Sequence, residues 1–405
     1  MTELQGKKIP EGWRETTLWE VIETNISSIG KYYNFDQIVY LDTGSITEWK
    51  KEALQNFNII EAPSRAKRLV KENDIIYSTV RPNQKHFWFI EEPQENLVVS
   101  TGFTVISTIK WKAEPKFLYY YITQDQITNI LQQIAEHSTS TYPSIKPEHI
   151  ENLDIFLPPL PEQQAIAKIL SSFDDKIELL REQNITLEKI WQEIFNEWFG
   201  KYRVGGELPE GWRIGKLWEI SYEIVRGFTT TYIEKSNLIN LNQKVNKWNF
   251  LEKQYFKYYP EDTFVPENKF LKNGDILLNS LGEWTLWRVH YFKENSDNII
   301  ADQHISILRF KKDLSFYVYQ VLISKEWNFR LLNWISGSTW MLMLNINVVR
   351  NFEIIIPSEE IIKKYSDFTY SIYEKISINN VEIETLSKIR DGLLPKFMKG
   401  EIRVV

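Results

Sequence analysis

The chain has 405 residues, 43% apolar and 25% charged, with 48 Lys+Arg against 54 Asp+Glu for a formal charge of −6; this excludes wholesale disorder and suits two or three soluble domains. It has no cysteine, which rules out disulfides, thiolate metal sites and a Cys nucleophile and fits a reducing cytoplasm. Charge divides as −5 over 1–160, −2 over 161–204, +1 over 205–357 and 0 over 358–405, so any nucleic-acid surface has to be a one-sided patch rather than a basic tail.

The opening MTELQGKKIP has no apolar signal core, and no apolar run reaches membrane-spanning length. A cytoplasmic protein without membrane contact is expected. The five histidines, at 86, 137, 149, 290 and 304, show no metal-ligand spacing. There are 15 Trp but only 16 Gly, where about 28 Gly would be usual at ~7%.

The first motif, Ile9-Pro10-Glu11-Gly12-Trp13-Arg14 with Leu18-Trp19-Glu20, recurs as Leu208-Pro209-Glu210-Gly211-Trp212-Arg213 with Leu217-Trp218-Glu219. The offset of 199–201 persists at Lys71–Ile76 against Lys272–Leu277, Asn152–Ile155 against Asn351–Ile354, and Arg203-Val204 against Arg403-Val404. The chain is therefore one unit of ~200 residues written twice. In the first copy, strands are expected at Gln37–Leu41, Asp74–Val80, His86–Ile90 and Leu97–Ser107, followed by a helix over Pro115–Glu136. The second copy predicts strands at Asp275–Ser280, Leu286–Phe292 and Ile299–Phe310, and a helix over Leu314–Trp334. Each is an α+β domain with a mostly β core.

After Leu157-Pro158-Pro159-Leu160-Pro161 the period changes. Ile166, Leu170, Phe173, Ile177, Leu180, Leu187, Trp191, Ile194 and Trp198 follow alternating steps of four and three, with Asn184 in the remaining slot. That seam specifies a left-handed coiled coil over about 162–199. Ile362, Tyr365, Thr369, Ile372, Ile376, Asn379, Ile383, Leu386, Arg390 and Leu393 repeat it more weakly. If the seams pair, the helices run antiparallel, giving a dumbbell with a pseudo-two-fold axis. The expected boundaries are 1–157 and 205–356 for the domains and 158–204 and 357–405 for the helical spacers. Matching the helix midpoints puts Asn184 and Asn379 about one heptad layer apart, so they should sit near each other mid-rod and set the register, as a lone buried Asn can. Leu at 184 should raise the melting temperature while loosening that register.

No GxGxxG, Walker loop, HExxH, GxSxG or defensible carboxylate pair occurs. Asp74 and Asp275 read as turn residues opening a strand, and His304 as a hydrogen-bonded histidine in or beside one. Two similar heads and no catalytic constellation suggest recognition. The candidate DNA-binding residues of copy one are Arg65, Lys67, Arg68, Ser78, Arg81, Asn83 and Lys85, with Ser138, Thr139 and Ser140 in a polar loop. In copy two they are Lys244, Lys247, Asn279, Arg288, Gln303, Ser338 and Thr339. Arg, Lys, Asn and Gln read base edges, while Ser and Thr position phosphates. The segments recur at equivalent places with diverged sequences, as two readers of different half-sites would. A two-headed protein- or RNA-binding adaptor is the alternative, and an enzyme such as a nuclease ranks third.

The PEGW-R openings, the LPPLPEQ helix entry and the closing Leu393-Leu394 … Gly400-Glu401-Ile402-Arg403-Val404 resemble the DNA specificity subunit of type I restriction–modification systems. The resemblance covers essentially the whole chain. Ser78–Lys85 with Ser100-Thr101-Gly102-Phe103 looks like one subtype of target recognition domain, and Asp275–Val289 with Ala301–Ile305 like another. It implies two target recognition domains separated by two long antiparallel coiled-coil helices. It further implies a non-catalytic chain that reads a bipartite site in double-stranded DNA and scaffolds two modification (methyltransferase) subunits and the restriction subunits. S-adenosylmethionine, ATP and Mg belong to those partners, and this chain carries no cofactor or metal.

The chain departs from that family's pattern at Trp19, Trp218, Trp284, Trp287 and Trp340, where the family usually has Gly. Trp13, Trp212 and Trp198 stand where it does have Trp. One reading is a codon translated here as Trp that the host reads as Gly; the other is true divergence, with aromatics stacking on nucleic acid or filling new pockets.

Overall fold

The computed structural model describes residues 9–30, 33–47, 50–51, 54–138, 143–247, 251–282, 285–294, 296–332 and 343–404. It divides into two units, Met1–Leu179 with Glu382–Val405, and Leu180–Val381.

In the first unit, Arg14–Thr17 pairs antiparallel with Asp154–Leu157. Gly12 makes the preceding PEGW turn with φ +79°, a conformation that glycine takes without a Cβ penalty. An antiparallel sheet then orders Ile22–Thr24, Phe103–Thr108, Ile75–Ser78 and Phe87–Phe89. A second sheet orders Gln55–Asn58, Gln37–Leu41, Leu97–Ser100 and Ala66–Leu69, with Gln37–Leu41 and Leu97–Ser100 parallel. Strand alternation sorts side chains between layers. Ile75 and Tyr77 join the core under the helices, whereas Ile76 faces a core with Val39, Leu41, Leu97 and Val99.

The second unit repeats this plan. Arg213–Lys216 pairs with Glu353–Ile356, and Gly211 again has φ +79°. Ser221–Arg226, Ile305–Phe310, Ile276–Asn279 and Val289–Tyr291 form one antiparallel sheet. Lys257–Tyr259, Leu238–Leu241 and Ile299–Ala301 form the other, with the same parallel pair. The repeat read from the offset is thus a repeat of topology.

Two sequence expectations change in the same way in both copies. Leu97–Ser107 is not one strand: Leu97–Ser100 and Phe103–Thr108 lie in different sheets, with the chain crossing between them at Thr101-Gly102. Ile299–Phe310 likewise splits into Ile299–Ala301 and Ile305–Phe310. A continuous apolar run hides a turn whose signal is a single polar side chain bonding back to the chain. Pro115–Glu136 becomes Pro115–Thr123 and Asp125–Ser138, broken at Gln124 with ψ 150°. Leu314–Trp334 becomes Lys312–Ile323 and Lys325–Leu332, broken at Ser324 with ψ 154°; Trp334 lies outside the described residues. The Ser324 hydroxyl accepts from Trp327 N–H at 3.2 Å and so starts the second helix.

The long helices are Leu160–Phe199 and Glu359–Met398, 40 residues each, or about 60 Å at 1.5 Å per residue. Within the first unit they pair antiparallel: Asp174 meets Arg390 at 2.6 Å, and Leu170 shares a core with Leu394 and Phe397. Within the second, Trp191 Nε1–H donates to Tyr365 Oη at 2.9 Å. Ile166, Leu170, Ile177, Leu180, Asn184 and Trp191 are buried, as the seam requires. On the other helix Ile362, Tyr365, Thr369, Ile376, Asn379 and Arg390 of the expected seam are buried, and so are Tyr373 and Leu394 beside it, whereas Ile372 and Leu393 are only partly covered, so that seam is broader than a strict heptad.

Asn379 Nδ2 donates to Asn184 Oδ1 at 2.8 Å, and Asn184 Nδ2 donates to Asn380 Oδ1 at 2.8 Å. The two asparagines are neighbours as expected, but they bond directly rather than lying a heptad layer apart, and a third amide that the seam pattern did not reveal joins them.

Candidate nucleic-acid interface

In the first domain several polar segments are tied together by backbone bonds. Thr79 N–H donates to Gly102 O (2.8 Å), Thr101 N–H to Arg65 O (2.8 Å), Ile145 N–H to Thr79 O (2.8 Å) and Arg81 N–H to Pro143 O (2.9 Å). The hairpin loop after Ile75–Ser78, the crossover turn at 101–102 and the chain at Pro143–Ile145 thus converge. Arg65, Lys67, Arg81 and Asn83 are exposed there, and Lys85 is partly covered with its ammonium 3.0 Å from Asp125. Two candidates turn inward. Ser78 is 2% exposed and bonds Val80. Arg68 donates to Asn25 Oδ1 and the Phe103 carbonyl, and burial lowers its pKa from the usual arginine value. Thr139 and Ser140 lie outside the described residues, as does the side chain of Ser138, which ends the Asp125–Ser138 helix.

The second domain builds the same junction. Ser280 N–H donates to His304 O (2.8 Å) and Leu344 N–H to Ser280 O (3.0 Å), matching the Thr79–Gly102 and Ile145–Thr79 bonds. Lys244 and Gln303 are exposed. Lys247 is 2.9 Å from Glu252, and Arg288 donates to Asn246 O at 3.2 Å. Asn279 is fully buried, accepting from Asn246 Nδ2 at 3.1 Å and donating to Gln243 O at 2.8 Å. It fastens the 243–247 segment to the hairpin, so it acts by positioning Lys244 and Lys247. Ser338 and Thr339 lie outside the described residues.

The aspartates that invite a catalytic reading are turn anchors. Asp74 Oδ2 accepts from Lys71 N–H at 2.8 Å and its Oδ1 from Ser107 Oγ at 2.6 Å. Asp275 accepts from Lys272 N–H at 2.9 Å and from Arg309 Nε at 2.9 Å. Burial raises both carboxyls, against hydrogen bonds from these partners that pull the other way. Each opens a strand of the main sheet. Among the described residues no group of three or more His, Cys, Asp or Glu could hold a metal ion, and no helix is long and apolar enough to cross a membrane.

Residues 10–189 match the family model described as the type I restriction modification DNA specificity domain. The HindI specificity subunit of Haemophilus influenzae, a type I restriction enzyme subunit, is 26% identical over 96% of this chain and 99% of its own length. The MjaIX specificity subunit of Methanocaldococcus jannaschii is 30% identical over 71% of this chain and 69% of its own. This chain belongs to the type I restriction enzyme specificity subunits. The S subunit of a type I restriction–modification system from M. genitalium has the same fold, with a TM-score of 0.57 at 15% identity and 98% coverage of each chain. The family is one of non-catalytic DNA recognition subunits, which suits the turn-anchoring roles of Asp74 and Asp275.

Sequence reasoning about this specificity subunit missed two residues at the second junction. His304 and Tyr232 both bind Asp302: His304 Nδ1 lies 2.7 Å from Oδ1, and Tyr232 Oη donates to Oδ2 at 2.9 Å. His304 does stand beside a strand, as expected, but partly exposed. Tyr232 lies 70 residues from Asp302, and nothing in the local sequence links them.

Proposed function

We propose that this specificity subunit reads a bipartite, asymmetric site in double-stranded DNA, with residues 1–157 facing one half-site and 205–356 the other. The observation that carries the reading is the junction built twice on one hydrogen-bond plan but furnished with different side chains: Arg65, Arg81 and Asn83 in one domain, Lys244 and Gln303 in the other. A conserved plan with divergent polar tips is what two half-sites of different sequence demand. The long helices, spanning 158–204 and 357–405 with their flanks, would scaffold two modification subunits, and restriction subunits would join them. S-adenosylmethionine, ATP and Mg would be bound by those partners, in the cytoplasm.

Filter binding with the cognate modification subunit tests this. Duplex binding should weaken steeply as salt rises, because phosphate-neutralising Lys and Arg release counterions. Absence of duplex binding at any salt would overturn DNA reading in favour of a protein- or RNA-binding adaptor.

A further inference from the structure

In both domains the chain crosses from the parallel-paired sheet to the main sheet through a short turn, and one side chain holds each turn. In the first domain Ser100 Oγ accepts from Gly102 N–H at 3.1 Å. In the second, Asp302 Oδ1 accepts from His304 N–H at 2.6 Å. Gly102 and His304 occupy equivalent places, since the carbonyl of each receives the first N–H of the hairpin loop, from Thr79 and Ser280. A Cβ on Gly102 would stand 3.0 Å from Thr43 Cγ2, so the first domain leaves little room for a side chain there. The second places an imidazole at that position.

That imidazole is oriented. Asp302 is 2% exposed, with one carboxylate oxygen toward His304 Nδ1 and the other taking the Tyr232 hydroxyl. Tyr232 stacks on Tyr259 with ring centroids 5.3 Å apart and planes 17° from parallel. Tyr259 Oη in turn donates to Phe228 O at 3.1 Å and accepts from Thr230 N–H at 3.2 Å. Because a carboxylate only accepts, Nδ1 carries the proton and Nε2 is left as the outward group. Nε2 accepts when the ring is neutral and donates when it is charged. It has no hydrogen-bond partner among the described residues, and the side chain is 32% exposed. Gln303, also exposed, precedes it, with its N–H on Thr229 Oγ1 at 3.1 Å.

We propose that His304 is a specificity-determining residue of the second domain, contacting one base pair of its half-site through Nε2, with Asp302 and Tyr232 as positioning residues. The proposal rests on the DNA-reading function above. It makes the recognition of that pair depend on a fixed imidazole, with no counterpart at Gly102.

The test uses the subunit assembled with its modification subunits in cells lacking other adenine methylation, read by long-read methylation sequencing. Wild type should yield a bipartite motif; its failure to do so would overturn the DNA-reading function itself. With that motif in hand, His304→Ala should relax one base pair in one half only, lowering discrimination there roughly tenfold to a hundredfold. Asp302→Asn should relax the same pair less, and the other half-site should stay unchanged. An assembled His304→Ala complex with an unaltered motif would overturn the proposal. Because a variant can fail to assemble, wild-type complex is also treated with diethylpyrocarbonate and mapped by mass spectrometry. Cognate duplex should protect His304 from carbethoxylation while duplex lacking the motif does not; equal modification with both would overturn the proposal.

Discussion

Two tryptophans occupy backbone conformations that tryptophan resists. Trp111 has φ +69° and Trp287 φ +58°, in the left-handed region where a Cβ crowds the following carbonyl at roughly 1–2 kcal/mol. The second hairpin loop parallels the first at these places: Gly282 (φ +102°) stands where Arg81 (φ +48°) does, and Trp287 where Lys85 (φ +54°) does. Trp19 and Trp218, 62% and 54% exposed, lie in short helical turns whose conformation does not call for glycine; Trp284 and Trp340 lie outside the described residues. Trp111 is 80% exposed and has little packing to lose. Trp111→Gly should therefore stabilise the fold by about 1 kcal/mol after the extra unfolded-chain entropy of glycine is counted, measured as a rise in melting temperature. Peptide mass spectrometry of protein from its own host should return glycine at 111 and 287. Tryptophan at both would end the recoded-glycine reading and leave the strain as a real property of the protein.

Among the elements, the long helices were the most legible, because a 3.5-residue apolar period has one structural meaning. The amide cluster within them revises the expected effect of mutation. Asn379 is fully buried, and its Oδ1 already lacks a partner. Leu at 184 would remove the acceptor of its Nδ2 and leave both ends of that amide unpaired. Asn184→Leu alone should thus lower stability by about 1–3 kcal/mol, contrary to the expectation from the seam. Asn184→Leu with Asn379→Leu should recover that loss and exceed wild type. Denaturant midpoints of the two variants check this, and a single variant more stable than wild type would refute the amide cluster as a paired unit. Strand and helix breaks were less legible. Gln124, Ser324, Ser100 and Asp302 interrupt apolar runs by one or two residues, and each bonds a backbone group only two or three residues away, a short local signal that the apolar pattern on either side outweighs.

For the whole molecule, the offset of 199–201 between copies anticipates a repeat that extends to sheet order and to individual junction bonds. If the helices set the distance between the two readers, spacing and half-site bases should vary independently. Four residues inserted after Gln183 lengthen the Leu160–Phe199 helix by ~6 Å, or at most ~2 bp of B-DNA. One to two extra base pairs of spacer are expected, with both half-sites unchanged, read by methylation sequencing. An unchanged spacer or altered half-site bases would remove the helices from the role of ruler.

By itself the sequence determined the duplication, the α+β class, the two long helices and the nearness of Asn184 to Asn379, because these depend on periodicity and on spacing along the chain. It also located the segments that meet at each junction. Which of their side chains face outward was decided by tertiary structure. Arg68, Ser78 and Asn279 look like readers in one dimension, yet Arg68 and Asn279 are claimed by groups that only the folded chain brings near, Phe103 O and Asn246, and Ser78 is buried by the fold while bonding its near neighbour Val80. His304 is the converse case, an ordinary histidine in the sequence that becomes an oriented, outward imidazole because Asp302 is buried beneath it and Tyr232 arrives from 70 residues away. Hydrogen-bond satisfaction of buried polar groups is a three-dimensional condition, so no reading of neighbours along the chain could have assigned these roles.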